Sequence, residues 1–121
     1  MDVKSSTTEV RITSGITAAI GVWEVIAPFV LGYAVLSPAP GNDIIIGLTI
    51  AALGAARAIS GDHRTWLSWG HVVVGLWLIV APFVLGYSNI AAATVNDIIV
   101  GLTVSALGLV SVYVTRQPEQ E

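Results

Sequence analysis

Two ionisable side chains interrupt long apolar runs in this sequence. Glu24 stands inside GITAAIGVWEVIAPFVLGY (15–33), and His71 inside WGHVVVGLWLIVAPFVLGY (69–87). A carboxylic acid in such a run can take up and release a proton, and an imidazole can pass one on. Along parallel helix axes the two lie roughly 10 Å apart by helical rise. That is too far for a direct bond but short enough for a water-linked path toward Arg57 and the membrane surface. Two further acids come as the pairs Asn42-Asp43 and Asn96-Asp97, each at the head of an apolar segment. As an N-cap and a first-turn acid, such a pair satisfies free N–H groups and complements the helix dipole, with the cap contributing roughly 0.5–2 kcal/mol. The alternative is a cation site outside the membrane, for which two carboxylates with no third acid beside them make a weak ligand set. No Ser-His-Asp set, phosphate loop, metal-ligand cluster or glycosidase-like carboxylate pair can be assembled. The absence of cysteine removes zinc ribbons, thiol nucleophiles and iron–sulfur clusters. The expectation is a non-enzymatic protein with no catalytic residues, no metal site and no cofactor.

The elements that would carry these residues follow from composition. Of 121 residues, 55% are hydrophobic and 11% charged, against about 25% charged in a soluble domain, and the mean hydropathy is +0.81. A soluble globular domain is thereby excluded. The net charge of −3, with five basic residues in all, provides no field for nucleic acid. Charged residues other than Glu24 fall at the ends or between four apolar segments, 12–33, 43–58, 66–87 and 97–114. These read as four transmembrane helices. The first and third reach roughly 33 Å and the second and fourth only about 24 and 27 Å, against a hydrocarbon core of about 30 Å. The remaining pieces are an N-terminal tail 1–11, a loop 59–65 and a C-terminal tail 115–121. The stretch 1–10 carries two acids and one Lys, where a secretory signal has a positive region, so the first segment is read as a span.

An offset of 54 residues aligns the chain with itself without a gap. Twenty of the thirty-four positions from Gly21 to Gly54 are identical to their partners, including APFVLGY (27–33 and 81–87) and NDII (42–45 and 96–99). Each copy, 12–58 and 66–114, is one helical hairpin. Because each copy crosses the membrane twice, the two hairpins form a parallel repeat about an axis along the membrane normal. With four crossings, Lys4, Arg11, Arg57, Arg64 and Arg116 all lie on one side and no basic residue on the other. The excess places both termini in the cytoplasm. Trp66, Trp69 and Tyr113 then mark the inner interface, and Tyr33 and Tyr87 the outer one.

Within the repeated motif, Pro28 and Pro82 each remove a backbone hydrogen bond and predict a kink. Trp23 and Trp77 lie deeper than an interfacial belt, read as packing between hairpins, with an indole N–H that needs an acceptor. Gly47, Ala51, Gly54 and Ala58 form a stripe of small residues, echoed by Gly101, Ser105 and Gly108. Such a face permits close helix approach, either to the long helix of the same chain or to another subunit.

A Gly-x-Trp ahead of a small-Pro-aromatic-Val-Leu-Gly-Tyr motif, with Asn-Asp-Ile-Ile-x-Gly opening the second helix, resembles the SPW-repeat family of small bacterial and archaeal membrane proteins. The Ser-Pro-Trp of the family name reads Ala27-Pro28-Phe29 and Ala81-Pro82-Phe83 here. The resemblance implies a multi-spanning protein of a bacterial or archaeal cytoplasmic membrane and brings no catalytic residues with it. The leading functional expectation is a protein that acts through helix packing, as a homo-oligomer or as a subunit of a larger membrane complex. The alternative is a small proton- or solute-conducting protein using Glu24, with His71 as a relay.

Overall fold

In lipid each backbone N–H and C=O must be satisfied within the protein, and apolar runs of this length do so within one segment as helices. The computed structural model describes residues 3–35, 38–60 and 65–116. It contains α1 (Val3–Val30), α2 (Ala39–Ser60), α3 (Thr65–Val84) and α4 (Ala91–Arg116), with no strand among the described residues. All four are long and apolar enough to cross a membrane. This is an all-α, multi-pass membrane protein. Each hairpin packs on itself, α1 on α2 and α3 on α4, and the hairpins join through α1 with α4 and, less extensively, α2 with α3.

Helix ends depart from the sequence reading. The stretch taken as an N-terminal tail is helical from Val3, and α2 and α4 begin before their Asn-Asp pairs. With 22 and 26 residues they reach about 33 and 39 Å, so neither is short for the bilayer. Asn42 and Asp43 are the fourth and fifth residues of α2, and Asn96 and Asp97 the sixth and seventh of α4. They do not cap these helices. Residues 1–2, 61–64 and 117–121, which hold parts of the expected tails, most of the expected loop and Arg64, lie outside the described residues.

The repeated APFVLGY motif is a helix terminator. α1 and α3 end at Val30 and Val84, so Pro28 and Pro82 sit in the last turn, where the missing N–H leaves little helix beyond it to bend. Gly32 and Gly86 follow with φ of +85° and +82°, a conformation glycine adopts without a Cβ penalty. The N–H of Tyr33 then donates to the Pro28 carbonyl at 2.9 Å and that of Tyr87 to the Pro82 carbonyl at 2.8 Å. This is the Schellman pattern that satisfies orphan carbonyls at a helix end. It turns both tyrosines back into the bundle, where each is 1% exposed. The expected outer aromatic belt therefore does not include them. Trp66, Trp69 and Tyr113, at the opposite end, face outward.

The small-residue stripes are used inside each hairpin. A Cβ on Gly47 would lie 2.8 Å from the Gly21 carbonyl oxygen and 2.9 Å from the Val25 nitrogen, and one on Gly54 would lie 2.8 Å from the Ser14 carbonyl oxygen. Gly101 and Gly108 press on the backbone of α3 in the same way. Gly47→Val is therefore expected to lower stability by about 2 kcal/mol or more through overpacking against rigid backbone. Gly41→Ala, which meets nothing within 4 Å, should change it little. Thermal unfolding of both variants in detergent measures the difference.

Between the helices, apolar and polar layers alternate. Ile50, Leu78, Val100 and Val104 form a buried cluster with Ile20, Ile46 and Val74 packed on it. Toward the ends that carry Tyr33 and Tyr87, a second cluster joins these tyrosines with Ala39, Ala81 and Ala93.

A buried carboxylate cluster as the candidate functional site

The polar residues of the two repeats meet between these apolar clusters. Glu24 on α1, Asp43 on α2 and Asp97 on α4 are each fully buried. Each contributes an oxygen to a group in which all three oxygens lie within 4.8 Å of one another. Sequence reading took the acids at 43 and 97 as an isolated pair. The structure brings Glu24 to them from α1, so a third carboxylate completes the set.

The shell around the cluster follows from one donor that cannot be anything else. The indole N–H is a donor only, and Trp23 Nε1 donates to Asn96 Oδ1 at 2.9 Å while Trp77 Nε1 donates to Asn42 Oδ1 at 2.8 Å. Each tryptophan thus finds its acceptor on the opposite hairpin and fixes the amide so that its NH₂ faces the acids. Asn96 Nδ2 donates to Glu24 Oε1 at 2.6 Å and reaches the Tyr33 hydroxyl at 3.4 Å and Asp97 Oδ1 at 3.5 Å. Asn42 Nδ2 donates to the Tyr87 hydroxyl at 3.1 Å and reaches Asp43 Oδ1 at 3.4 Å. Tyr33 donates its hydroxyl to Asp43 Oδ2, and Tyr87 donates to Asp97 Oδ2. Burial, and then the bond to its aspartate, pushes each phenol above its ordinary range, so both keep the proton they donate.

Five of the six carboxylate oxygens therefore accept a hydrogen bond from a neutral donor. The sixth, Glu24 Oε2, is buried and has no partner. The charged neighbour acting on Glu24 is Asp43, and those acting on Asp97 are Asp43 and Glu24. Three like charges this close in a low-dielectric interior require neutralisation, since uncompensated buried charge costs several kcal/mol per ion.

The two halves differ at one position of this site. Where the first repeat has Glu24 the second has Leu78, which is fully buried in the apolar cluster with Ile50, Val100 and Val104. Along each helix that cluster separates the acids from the other polar end. Ile20 lies between Thr17 and Glu24, Ile50 between Asp43 and Arg57, Val74 and Leu78 between His71 and Tyr87, and Val100 and Val104 between Asp97 and Ser111. His71 is buried on the far side of this layer, where the charge of Arg57 acts on it. The structure does not bring it to Glu24.

The sequence matches the SPW repeat domain model over residues 11–111. The chain belongs to the SPW repeat family. No curated protein and no solved structure matches it. In this SPW repeat protein the residues at the family's name triplet divide by face. Ala27, Pro28, Ala81 and Pro82 are buried, whereas Phe29 and Phe83 are 63% and 61% exposed at equivalent positions of the two hairpins. Beside the acid cluster the SPW repeat bundle also carries a groove of about 570 Å³ between α1 and α4, walled by Ile16, Ile20, Trp23, Asn96, Ile99 and Thr103.

Tyr33 and Tyr87 are the site residues that sequence reasoning missed. Their identity in both copies, ten residues ahead of an identical Asp, was the available signal.

Proposed function

We propose that this protein acts without enzymatic chemistry, by taking up and releasing protons at the Glu24–Asp43–Asp97 cluster and conducting them across the membrane. The observation that carries this reading is the convergence of three fully buried carboxylates within 4.8 Å in a membrane bundle. Ionisable groups at such depth face a large desolvation cost and mark ion or proton pathways. Protons are favoured over a metal because the aspartate oxygens already accept hydrogen bonds and only Glu24 Oε2 is open, whereas calcium takes six to eight oxygen ligands. The apolar layer around Ile50, Leu78, Val100 and Val104 then acts as the barrier that must hydrate for protons to pass.

The basic-residue excess supports a reading with both termini in the cytoplasm, the carboxylate cluster toward the outer surface and the two hairpins as a parallel repeat in a bacterial or archaeal cytoplasmic membrane. Reconstitution into liposomes tests the reading. Under an imposed potential the protein is expected to acidify the lumen in sodium-free and potassium-free media alike. Lumenal pH indistinguishable from that of empty liposomes overturns it.

A second reading is packing against another membrane subunit or a second copy. It is supported by the outward position of Phe29 and Phe83 at matching points of the repeat. Native mass spectrometry after gentle extraction is expected to give a defined oligomer or hetero-complex under this reading, which Phe29→Ala with Phe83→Ala would disperse. A bare monomer with no co-purifying subunit contradicts it.

A further inference from the structure

On the inner side of the apolar layer the bundle carries a second buried polar layer that the carboxylate cluster does not use. Ser14 and Thr17 on α1, Arg57 on α2, Ser68 and His71 on α3 and Ser111 on α4 are each 3% exposed or less. At the 54-residue offset they pair as Ser14 with Ser68, Thr17 with His71 and Arg57 with Ser111. Glycine contacts hold them near one level. Gly54 of α2 packs on the backbone of Ser14 and Ala18, Gly108 of α4 packs on Ser68 and Val72, and Thr13 Oγ1 meets Ser111 Oγ at 3.2 Å. Side chains so fully covered, in a bundle whose outer faces meet lipid, lie between the helices.

Three polar atoms of this layer, Ser14 Oγ, Ser68 Oγ and His71 Nε2, are buried without a hydrogen-bond partner. The contrast with the threonines is direct. Thr13, Thr17, Thr49 and Thr103 return their hydroxyls to the carbonyl one turn back, whereas the two serines do not use that route. Buried polar groups are satisfied in nearly all proteins, and each exception asks for an explanation. The six residues include two hydroxyls and an imidazole with open valence, the positive charge of Arg57, which acts on His71, and no carboxylate. Hydroxyl, imidazole and guanidinium groups all donate to an anion, and this set has no negative charge to repel one.

We propose that this layer binds a small inorganic anion of chloride size, held by Ser14, Ser68, His71 and Arg57. The size follows from the burial of these side chains, each 2% exposed or less, which leaves no opening for a bulky guest.

The experiment uses the full chain in detergent and follows thermal unfolding while chloride replaces gluconate at constant ionic strength. Chloride is expected to raise the midpoint saturably and nitrate to do the same, while gluconate has no effect. Ser14→Ala with Ser68→Ala is expected to raise the half-saturating chloride concentration about a hundredfold, roughly tenfold for each hydrogen bond to a charged partner that is lost. Arg57→Gln should abolish the response. If that variant fails to fold, the double serine variant carries the test, because it leaves charge unchanged. A midpoint that is the same in chloride and gluconate means that water alone fills the layer and overturns the proposal, as does a chloride response untouched by the serine pair. Glu24→Gln should leave the titration unchanged, so failure of the proton reading and failure of this one are distinguishable.

Discussion

Replacing Glu24 by Leu, the residue at the equivalent position of the second repeat, is expected to stabilise the protein while abolishing proton uptake by proteoliposomes. Glu24 is fully buried with Oε2 unpartnered, and its charged neighbour is another carboxylate. Buried ionisable groups exchanged for packed apolar side chains are often neutral or stabilising by about 1–4 kcal/mol. Leu78 shows that this fold accommodates leucine at the matching place. The one bond lost is that from Asn96 Nδ2, which keeps Tyr33 and Asp97 within reach. Flux should fall to that of empty liposomes, and the unfolding midpoint should rise or hold. A variant that is less stable and still conducts would show that Glu24 serves the fold alone.

The second large effect is an asymmetry between two equivalent asparagines. Asn96→Ala strips the Trp23 indole of its acceptor and removes a donor from both Glu24 and Asp97. Asn42→Ala strips the Trp77 indole and removes a donor from the Tyr87 hydroxyl and from Asp43, with no counterpart of Glu24 to lose. Each buried group left unsatisfied costs about 1–3 kcal/mol, and more where it is charged. Asn96→Ala is expected to lose about 3–5 kcal/mol and Asn42→Ala roughly half of that. Unfolding of the two variants side by side measures the gap. In the double variant Glu24→Leu, Asn96→Ala, the excess should shrink toward the Asn42→Ala value, because the glutamate that needed the donor is gone.

The four spans were legible because apolar runs of this length, with charges confined to their ends, have one stable form in lipid. Helix starts were not. Asn-Asp ahead of an apolar run signals a helix N-terminus, yet α2 begins at Ala39 and α4 at Ala91, and the pairs lie within them. What overrides the local signal is a partner that lies far away in sequence, the indole of the other hairpin. Sequence reading could say that Trp23 and Trp77 needed acceptors but not which ones, because spacing along a single helix does not reveal contacts between hairpins. The repeat held part of the answer. Trp, Tyr, Asn and Asp recur identically at the 54-residue offset, and equivalent polar residues of two packed hairpins come to face one another. Glu24 broke the repeat and stood out for that reason. Its place beside Asp43 and Asp97 depended on α2 and α4 starting earlier than their polar pairs suggested. His71 was legible as a buried polar residue too far from Glu24 for a direct bond, and the apolar layer of Ile50, Leu78, Val100 and Val104 lies between the two.

The central claim is that the three buried carboxyls exchange protons with the outside, and infrared difference spectroscopy of the protein in lipid during a pH jump tests it most directly. The account predicts a protonated-carboxyl band that changes with the jump, shifts in deuterated water, and is lost or displaced in Glu24→Gln, Asp43→Asn and Asp97→Asn alike, because the three share one site. A spectrum with no carboxyl change, or one that the Glu24→Gln substitution leaves untouched, would contradict it.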